Sequence, residues 1–143
     1  MSTNKAIIST KNAPAAIGTY SQAVKVNNTV YLSGQIPLIP ETMEMVDGDI
    51  EAQTAQCLSN IKAILESIGH VMNDVVKTTI YLKSIADAEV VNEVCAKFFP
   101  SYVPARTVVN AAELPMGALV QIDTSISHGD GTPPQLPEDT SLL

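Results

Sequence analysis

The sequence has 143 residues, enough for one domain, and 45% of them are hydrophobic while only 16% are charged. A chain of this length buries about 68–70% of the surface that its unfolded form exposes, so its core requires no metal or disulfide. Eight basic residues stand against fifteen acidic ones, and this net charge of −7, without a cluster of Lys and Arg, argues against nucleic acid and anionic membranes as partners.

The first predicted elements are an extended lead-in segment and a hairpin. Residues 4–19 are punctuated by Pro and Gly, which favours an extended approach to the domain. Strands are predicted from Tyr20 to Val26 and over TVYLSGQIP, because the two Asn residues between them are typical of a turn. The polar segment 37–48 is predicted to be a loop.

The strongest periodicity runs from Asp49 to Ile68 and predicts a helix, because apolar residues recur every three or four positions. Acidic residues crowd its first turn, where the helix dipole favours negative charge, and Gly69 suits the left-handed position after a helix. The apolar stripe comprises Ile50, Cys57, Leu58, Ile61, Ile64, Leu65 and Ile68.

The second half of the chain predicts a strand, a helix and two further strands. Val75 to Lys83 alternates and is rich in β-branched residues, which favours a strand. Ser84 and Asp87 have the spacing of a capping box, and the helix that follows, about 87–99, ends before Pro100. The last two strands are predicted at about 106–113 and 119–127. The apolar side of the second helix comprises Val91, Val94, Cys95, Phe98 and Phe99.

These elements predict an α+β fold of order ββαβαββ, in which a right-handed crossover places both helices on one face of a mixed sheet. A single domain is expected over residues 1–128 and a flexible tail over 129–143. One side of the strands 30–36 and 75–83 is predicted to carry Val30, Leu32, Ile36, Val76, Ile80 and Leu82. The other side, with Tyr31, Ser33, Gln35, Val75, Thr79 and Tyr81, is half polar and half aromatic, which suits a subunit interface.

The cysteine and histidine residues give little indication of a catalytic or metal-binding site. Cys57 and Cys95 are expected to be small buried hydrophobes with reduced thiols, because the N-terminus resembles no signal peptide and the chain is predicted to be cytoplasmic. His70 and His128 each lack a Cys or His at metal-binding spacing and are predicted to be exposed loop residues, so no metal site is expected. No GxSxG motif, Cys–His pairing or phosphate-binding loop is present in the sequence.

Arg106 is the residue that points to a ligand. It stands at the start of a strand, beside Pro, Ala and Val residues, with few acidic neighbours in sequence. Two interpretations remain open: a surface or interface arginine, or an anion receptor whose planar fork holds a carboxylate in a bidentate manner.

Six blocks of the sequence, taken in order, resemble the reactive intermediate deaminase (RidA/YjgF) family over residues 8–127. The blocks are NAPAAIGTYSQAV, VYLSGQIP, DIEAQTAQCLSNIKAIL, DVVKTTIYL, VNEVCAKFF and PARTVVNAAELPMGALVQID. The resemblance implies a homotrimer of chorismate-mutase-like subunits with clefts between subunits. It also implies hydrolysis of 2-imino acids, such as 2-iminobutanoate and 2-iminopropanoate, to 2-oxo acids and ammonia without a metal or organic cofactor.

By the same resemblance, Arg106 holds the substrate carboxylate, and the backbone around Ser33 and Gly34 lines the cleft. Asn92 and Tyr20 fall on family positions that contribute to the pocket, Tyr20 from the neighbouring subunit. Asn92 is equally compatible with an exposed polar position on its helix.

The sequence departs from the family at Gln121, where the family carries a Glu that orients the attacking water. Gln positions water by hydrogen bonds but accepts no proton near neutral pH. Asp123 lies two residues further along the same strand face. We therefore expect reduced deaminase activity, with a non-enzymatic trimer that binds small carboxylates as the alternative. A ribonuclease or translation inhibitor is disfavoured by the negative charge.

Overall fold

The structure, a computed structural model, describes residues 4–129 and consists of one mixed sheet and two helices. The α+β architecture predicted from the sequence is confirmed. The predicted tail lies, apart from Gly129, outside the described residues. The elements are β1 (Lys5–Ile8), β2 (Ala23–Val26), β3 (Thr29–Gln35), α1 (Ile50–Ser67), β4 (Val75–Leu82), α2 (Ala88–Phe98), β5 (Ala105–Asn110) and β6 (Val120–Ser127).

The six strands lie in the order β1-β2-β3-β6-β4-β5. The last strand of the chain, β6, is therefore inserted in the middle, antiparallel to both β3 and β4. At the edge, β4 and β5 pair in parallel and are connected through α2. Strand β1, at the opposite edge, was predicted only as part of an extended lead-in. It has four residues, three of which are exposed, so it leaves no hydrophobic pattern in the sequence.

The core lies between the helices and one face of the sheet. On α1 the predicted stripe is confirmed, and Leu58, Ile61, Ile64 and Leu65 are at most 1% exposed. These side chains pack with Val30, Leu32, Ile80, Leu82, Val120, Ile122 and Ile126 from the sheet and with Val91, Val94 and Cys95 from α2.

Both cysteines are buried free thiols, as expected. Within residues 4–129, neither helix is both long and apolar enough to cross a membrane.

Two irregularities in strand pairing reverse the predicted side-chain alternation. The register shifts between Val75 and Lys77, and Val75 is 2% exposed whereas Val76 is 47% exposed. It also shifts between Leu32 and Gln35, so that Gln35 is buried. The prediction of an inward Val76 and an outward Val75 and Gln35 is wrong, because one extra residue in a strand inverts the faces of those beyond it.

The ends of α1 follow the sequence signals closely. The Asp49 side chain accepts hydrogen bonds from the backbone N–H groups of Glu51 and Ala52 at 3.1 and 3.3 Å, and so caps the helix. Gly69 adopts φ 77°, the left-handed conformation expected just after a helix. The capping box predicted at Ser84 is wrong. A 3-10 turn, Ile85–Asp87, precedes α2, and within the described chain the Ser84 side chain forms no capping hydrogen bond.

Candidate functional site

Arg106 lines a cavity of about 500 Å³ between α2 and the edge strand β5. It pairs with Thr78 across the parallel ladder, and two residues further on Val108 packs against the core, so Arg106 lies on the helix face of the sheet. Its Nη1 donates a 2.6 Å hydrogen bond to Asn92 Oδ1 on α2. The other lining residues are Cys95, Ala96, Phe99, Pro100, Val103 and Pro104.

The positive charge of Arg106 has no negative partner in the described part of the chain. Arg106 is the only arginine in the sequence. The salt bridges found among residues 4–129 are Lys62–Glu66 and His70–Asp74, and neither involves Arg106. Its hydrogen-bonded neighbour Asn92 is neutral. A guanidinium held in place by a neutral amide, beside a cavity, retains its capacity to bind a carboxylate.

Cys95 lines the same cavity but is unsuited to nucleophilic chemistry at neutral pH. Burial raises the pKa of the Cys95 thiol to about 11, and the positive charge of Arg106 only partly offsets this effect. Burial likewise raises the pKa of Cys57, in the core. Because the thiolate is the reactive form of cysteine, both side chains are inert packing groups under ordinary conditions.

Tyr20 and Gly34 line a second cavity, of about 400 Å³, together with residues that include Ile17, Gln22, Ile36 and Met116. Tyr20 is 54% exposed, and its Oη accepts a hydrogen bond from the Ile17 backbone N–H at 3.2 Å. Ser33 is half-buried, and its Oγ donates to the Ser21 carbonyl at 2.6 Å. This arrangement presents the backbone of β3 beside an open cleft.

Gly34 lies close to the side chains of Gln121 and Asp123 on β6. A Cβ at residue 34 would collide with Gln121 Nε2 and with Asp123 Oδ1. Gln121 Nε2 donates to Asp123 Oδ1 at 3.2 Å. The negative charge of Asp123 is the main cause that raises the pKa of Tyr81. Asp123 therefore belongs to the same polar group as Gln121, a position that sequence reasoning left undecided.

The candidate residues form two sets on opposite faces of the sheet. Gln121 pairs with Tyr81 in β4 and alternates with the buried Val120 and Ile122, so its side chain lies on the face away from the helices. Arg106 lies on the helix face, beside Asn92. Within one chain, the Arg106 side chain and the Gln121 side chain do not share a cleft.

The position of His70 differs from the expected exposed loop. It is only 7% exposed, and its Nδ1 lies 2.9 Å from Asp74 Oδ2. The prediction that His70 is an exposed loop residue is wrong, because its ring lies against the Asp74 carboxylate and the His128 ring. His128 is exposed, as predicted. The spacing of four residues between His70 and Asp74 was the sequence signal available for this pair.

A sequence model described as endoribonuclease L-PSP matches residues 10–127. The chain belongs to this family, which includes the reactive intermediate deaminases.

Two relatives illustrate the family. The chain is 50% identical over 119 residues to a RutC family protein of Pyrococcus horikoshii, a match that covers 83% of this chain and 94% of the relative. It is 48% identical over 122 residues to a 2-iminobutanoate/2-iminopropanoate deaminase of Dermatophagoides farinae, with 85% and 95% covered.

Solved structures of the family share the fold. A putative endoribonuclease of Thermotoga maritima superposes with a TM-score of 0.84 at 44% identity, over 87% of this chain and 98% of that one. TdcF of E. coli, solved with bound serine, superposes with a TM-score of 0.82 at 35% identity, over 87% and 99%.

The raised pKa of Cys95 predicts that this chain loses stability at alkaline pH. Between its ordinary value of 9.0 and about 11, the thiol ionises in the unfolded chain but stays neutral in the folded one. Proton release then favours the unfolded state, so the free energy of unfolding falls as pH rises through this window. A pKa difference of this size corresponds to about 3 kcal/mol at most. Urea unfolding of the wild type and of Cys95→Ala across the window measures it.

We expect the free energy of unfolding to fall less steeply with pH in Cys95→Ala than in the wild type. Part of the fall should persist, because the raised pKa of Cys57 acts in the same direction. Lysine and tyrosine ionisation is common to both proteins and cancels in the difference. An identical pH slope in the two proteins would show that Cys95 ionises as freely in the folded chain as in the unfolded one.

Proposed function

We propose that this chain is a hydrolytic deaminase that converts 2-imino acids to 2-oxo acids and ammonia. The observation that carries the proposal is the Arg106 guanidinium, held by Asn92 beside a cavity and without a salt bridge among residues 4–129. A 2-imino acid carries a carboxylate next to its reactive carbon, and a bidentate arginine fixes such a group in orientation. A relative named 2-iminobutanoate/2-iminopropanoate deaminase supports this substrate class.

We further propose that the site is completed by a second copy of the chain, within a homotrimer. Arg106 and Asn92 lie on the helix face, whereas Gly34, Gln121 and Asp123 meet on the other face, so one chain cannot bring both sets to one substrate. The face away from the helices also exposes Tyr31 at 54% and Val109 at 37%. Such partly apolar surface is suited to contact with neighbouring subunits.

In the proposed mechanism, Arg106 of one subunit holds the substrate carboxylate, while Tyr20, Ser33 and Gly34 of the adjacent subunit line the rest of the cleft. A water molecule adds its oxygen to the imine carbon, and the electron pair of the C=N double bond moves to nitrogen. One proton of the water passes to the nitrogen, which gives a carbinolamine. The hydroxyl proton of this intermediate then passes to the same nitrogen as the C–N bond breaks and the C=O bond forms, and ammonia leaves. Orientation of the reactants lowers the barrier by several kcal/mol, up to about 7–11 in favourable cases.

Gln121 and Asp123 divide two tasks in this mechanism. The Gln121 amide positions the water by hydrogen bonds but takes no proton near neutral pH. Asp123, 3.2 Å from the Gln121 amide, is a carboxylate able to accept the proton. General-base catalysis contributes about 10²–10⁴-fold, so a base displaced from its best position predicts a slow enzyme rather than an inactive one.

A second candidate function, a carboxylate-binding trimer without turnover, is favoured by Gln121 alone. It uses the same Arg106 cleft, and the solved TdcF with bound serine is a relative that holds a carboxylate-bearing ligand. Ribonuclease activity, which the family description names, fits this chain poorly. RNA binding requires clustered cations, and the sequence has a single arginine and a net charge of −7.

We expect Arg106→Ala to lower deaminase activity at least about 100-fold, because charge-assisted bonds to a carboxylate contribute about 1.5–3 kcal/mol each. Arg106→Lys keeps the charge but loses the planar fork, and should be intermediate. A threonine dehydratase supplies the imine, and the rate of 2-oxobutanoate formation is compared with spontaneous hydrolysis. The matched control is Lys97→Ala, which removes an exposed cation from α2 outside the Arg106 cavity.

The same proteins separate the two candidate functions. Calorimetric titration with 2-oxobutanoate should show saturable binding that is lost in Arg106→Ala. Binding without any acceleration of imine hydrolysis, at any protein concentration, would eliminate the deaminase and leave the carboxylate-binding protein.

Gln121→Glu should raise the rate of deamination by about 10-fold or more, because it places a proton acceptor where the amide now holds water. The new carboxylate would lie beside Asp123, and like charges raise the pKa of one member of such a pair. The acid limb of the pH–rate profile should therefore move to higher pH. Asp123→Asn in the wild-type background should lower the rate. An unchanged rate in both variants would remove Gln121 and Asp123 from the mechanism.

The assembly is tested by light scattering of the purified chain, for which we expect three times the mass of one subunit. A mass of one chain, in a preparation that deaminates 2-imino acids, would show that the two residue sets need not meet.

A further inference from the structure

Away from both clefts, three ligating side chains converge at one end of the sheet. His70 lies in the connection between α1 and β4, Asp74 in the 3-10 turn before β4, and His128 directly after β6. The two imidazole rings are 5.4 Å apart between centroids, at an angle of 62°. One donor atom from each of the three residues lies within 4.8 Å of the other two.

Backbone hydrogen bonds hold each of the three residues in place. The N–H of His70 donates to the Leu65 carbonyl at 2.9 Å, at the end of α1. The N–H of His128 donates to the Asn28 carbonyl at 2.8 Å, in the turn between β2 and β3. Asp74 Oδ2 accepts from the Val71 N–H at 3.3 Å as well as contacting His70. The cluster therefore joins two parts of the chain that are distant in sequence, the connection before β4 and the end of β6.

The donor set matches a transition metal. Two imidazoles and one carboxylate bind zinc at about 2.0–2.2 Å, which in tetrahedral geometry places the donor atoms about 3.3–3.6 Å apart. His70 Nδ1 and Asp74 Oδ2 are already 2.9 Å apart. His128 is exposed, so its side chain is free to move by the roughly 1 Å needed to complete the set. Calcium and magnesium prefer oxygen ligands and fit two imidazoles poorly.

We propose that His70, Asp74 and His128 form a zinc site, separate from the deaminase clefts. Three protein ligands leave the fourth tetrahedral position to water. The bound ion would tie the end of β6 to the connection between α1 and β4, and so stabilise the folded chain. A hydrogen bond to Asp74 satisfies the buried His70 ring without a metal. That bond alone does not explain why the His128 ring lies close to the same two residues. The proposal is independent of the deaminase and holds if that activity is absent.

The test uses the full chain freed of metal with a chelator and titrated calorimetrically with Zn²⁺ alone. We expect one site per chain and a rise in Tm at saturating Zn²⁺, since an ion that binds only the folded state stabilises it. Co²⁺ as a probe should give the intense visible absorption of a site with fewer than six ligands.

His128→Ala is the decisive variant because His128 is exposed and its loss leaves the core intact. We expect it to weaken Zn²⁺ binding about 100-fold or more, beyond the 10–100-fold typical of residues that only orient a ligand. Asp74→Asn should weaken binding too, whereas its matched control, the exposed Asp47→Asn, should not. His70→Gln, which keeps a polar group in the buried position, should act like His128→Ala.

Zn²⁺ binding that is absent in the wild type, or equal in His128→Ala and in Asp47→Asn, would overturn the proposal. Binding that survives His128→Ala but is lost on replacing Cys57 and Cys95 would assign the metal to the thiols and overturn it equally. Deaminase activity should be the same with and without Zn²⁺.

Discussion

The proposed function depends on one electrostatic feature, a guanidinium whose hydrogen-bonded neighbour is an amide. Asn92 orients Arg106 through a 2.6 Å bond without neutralising it. An Asp at position 92 would pair with the same fork and compete with any carboxylate ligand, because charge-assisted bidentate pairs are the strong ones. Among residues 4–129 no acidic side chain forms a salt bridge with this arginine, and this leaves the cation able to bind an acid.

Strand parity imposes the second constraint. Register pairing puts Arg106 on the helix face with Thr78, and Gln121 on the opposite face with Tyr81. No side-chain rotation carries either group through a sheet whose inner face is packed. A reaction that needs both groups therefore requires a second chain, and the apolar residues exposed on the outer face supply a surface for it. The irregular pairing between Leu32 and Gln35 matters here as well, because it lies where Gly34 meets Gln121 and Asp123. β-Bulges redirect side chains, and they occur frequently beside functional sites.

The sequence predicted best where burial was continuous and one-sided. Helix α1 was placed to within one residue at each end, since its stripe, Asp49 and Gly69 all indicate the same limits. The four-residue β1 was missed because its side chains are mostly exposed and its stability comes from backbone pairing with β2. The faces of Val75, Val76 and Gln35 were wrong because no composition signal marks a shift in register. His70 was misjudged because its ring contacts Asp74 and also His128, which is 58 residues away in sequence and cannot be placed beside it without the fold.

The position of the proton acceptor is the remaining step in the chemistry. In the proposed mechanism the amide of Gln121 and the carboxylate of Asp123 act on one water, and both are constrained by Gly34. Residues i and i+2 of a strand are about 6.6 Å apart, so the two side chains meet only by leaning toward one another, as their 3.2 Å hydrogen bond shows. That bond has two effects: it fixes the amide for water binding, and it engages one oxygen of the carboxylate. The negative charge of Asp123 raises the pKa of Tyr81, and in the proposed mechanism this carboxylate receives the proton. In the proposed mechanism, a chain with Gln at this position keeps a base in Asp123, two residues further along the strand.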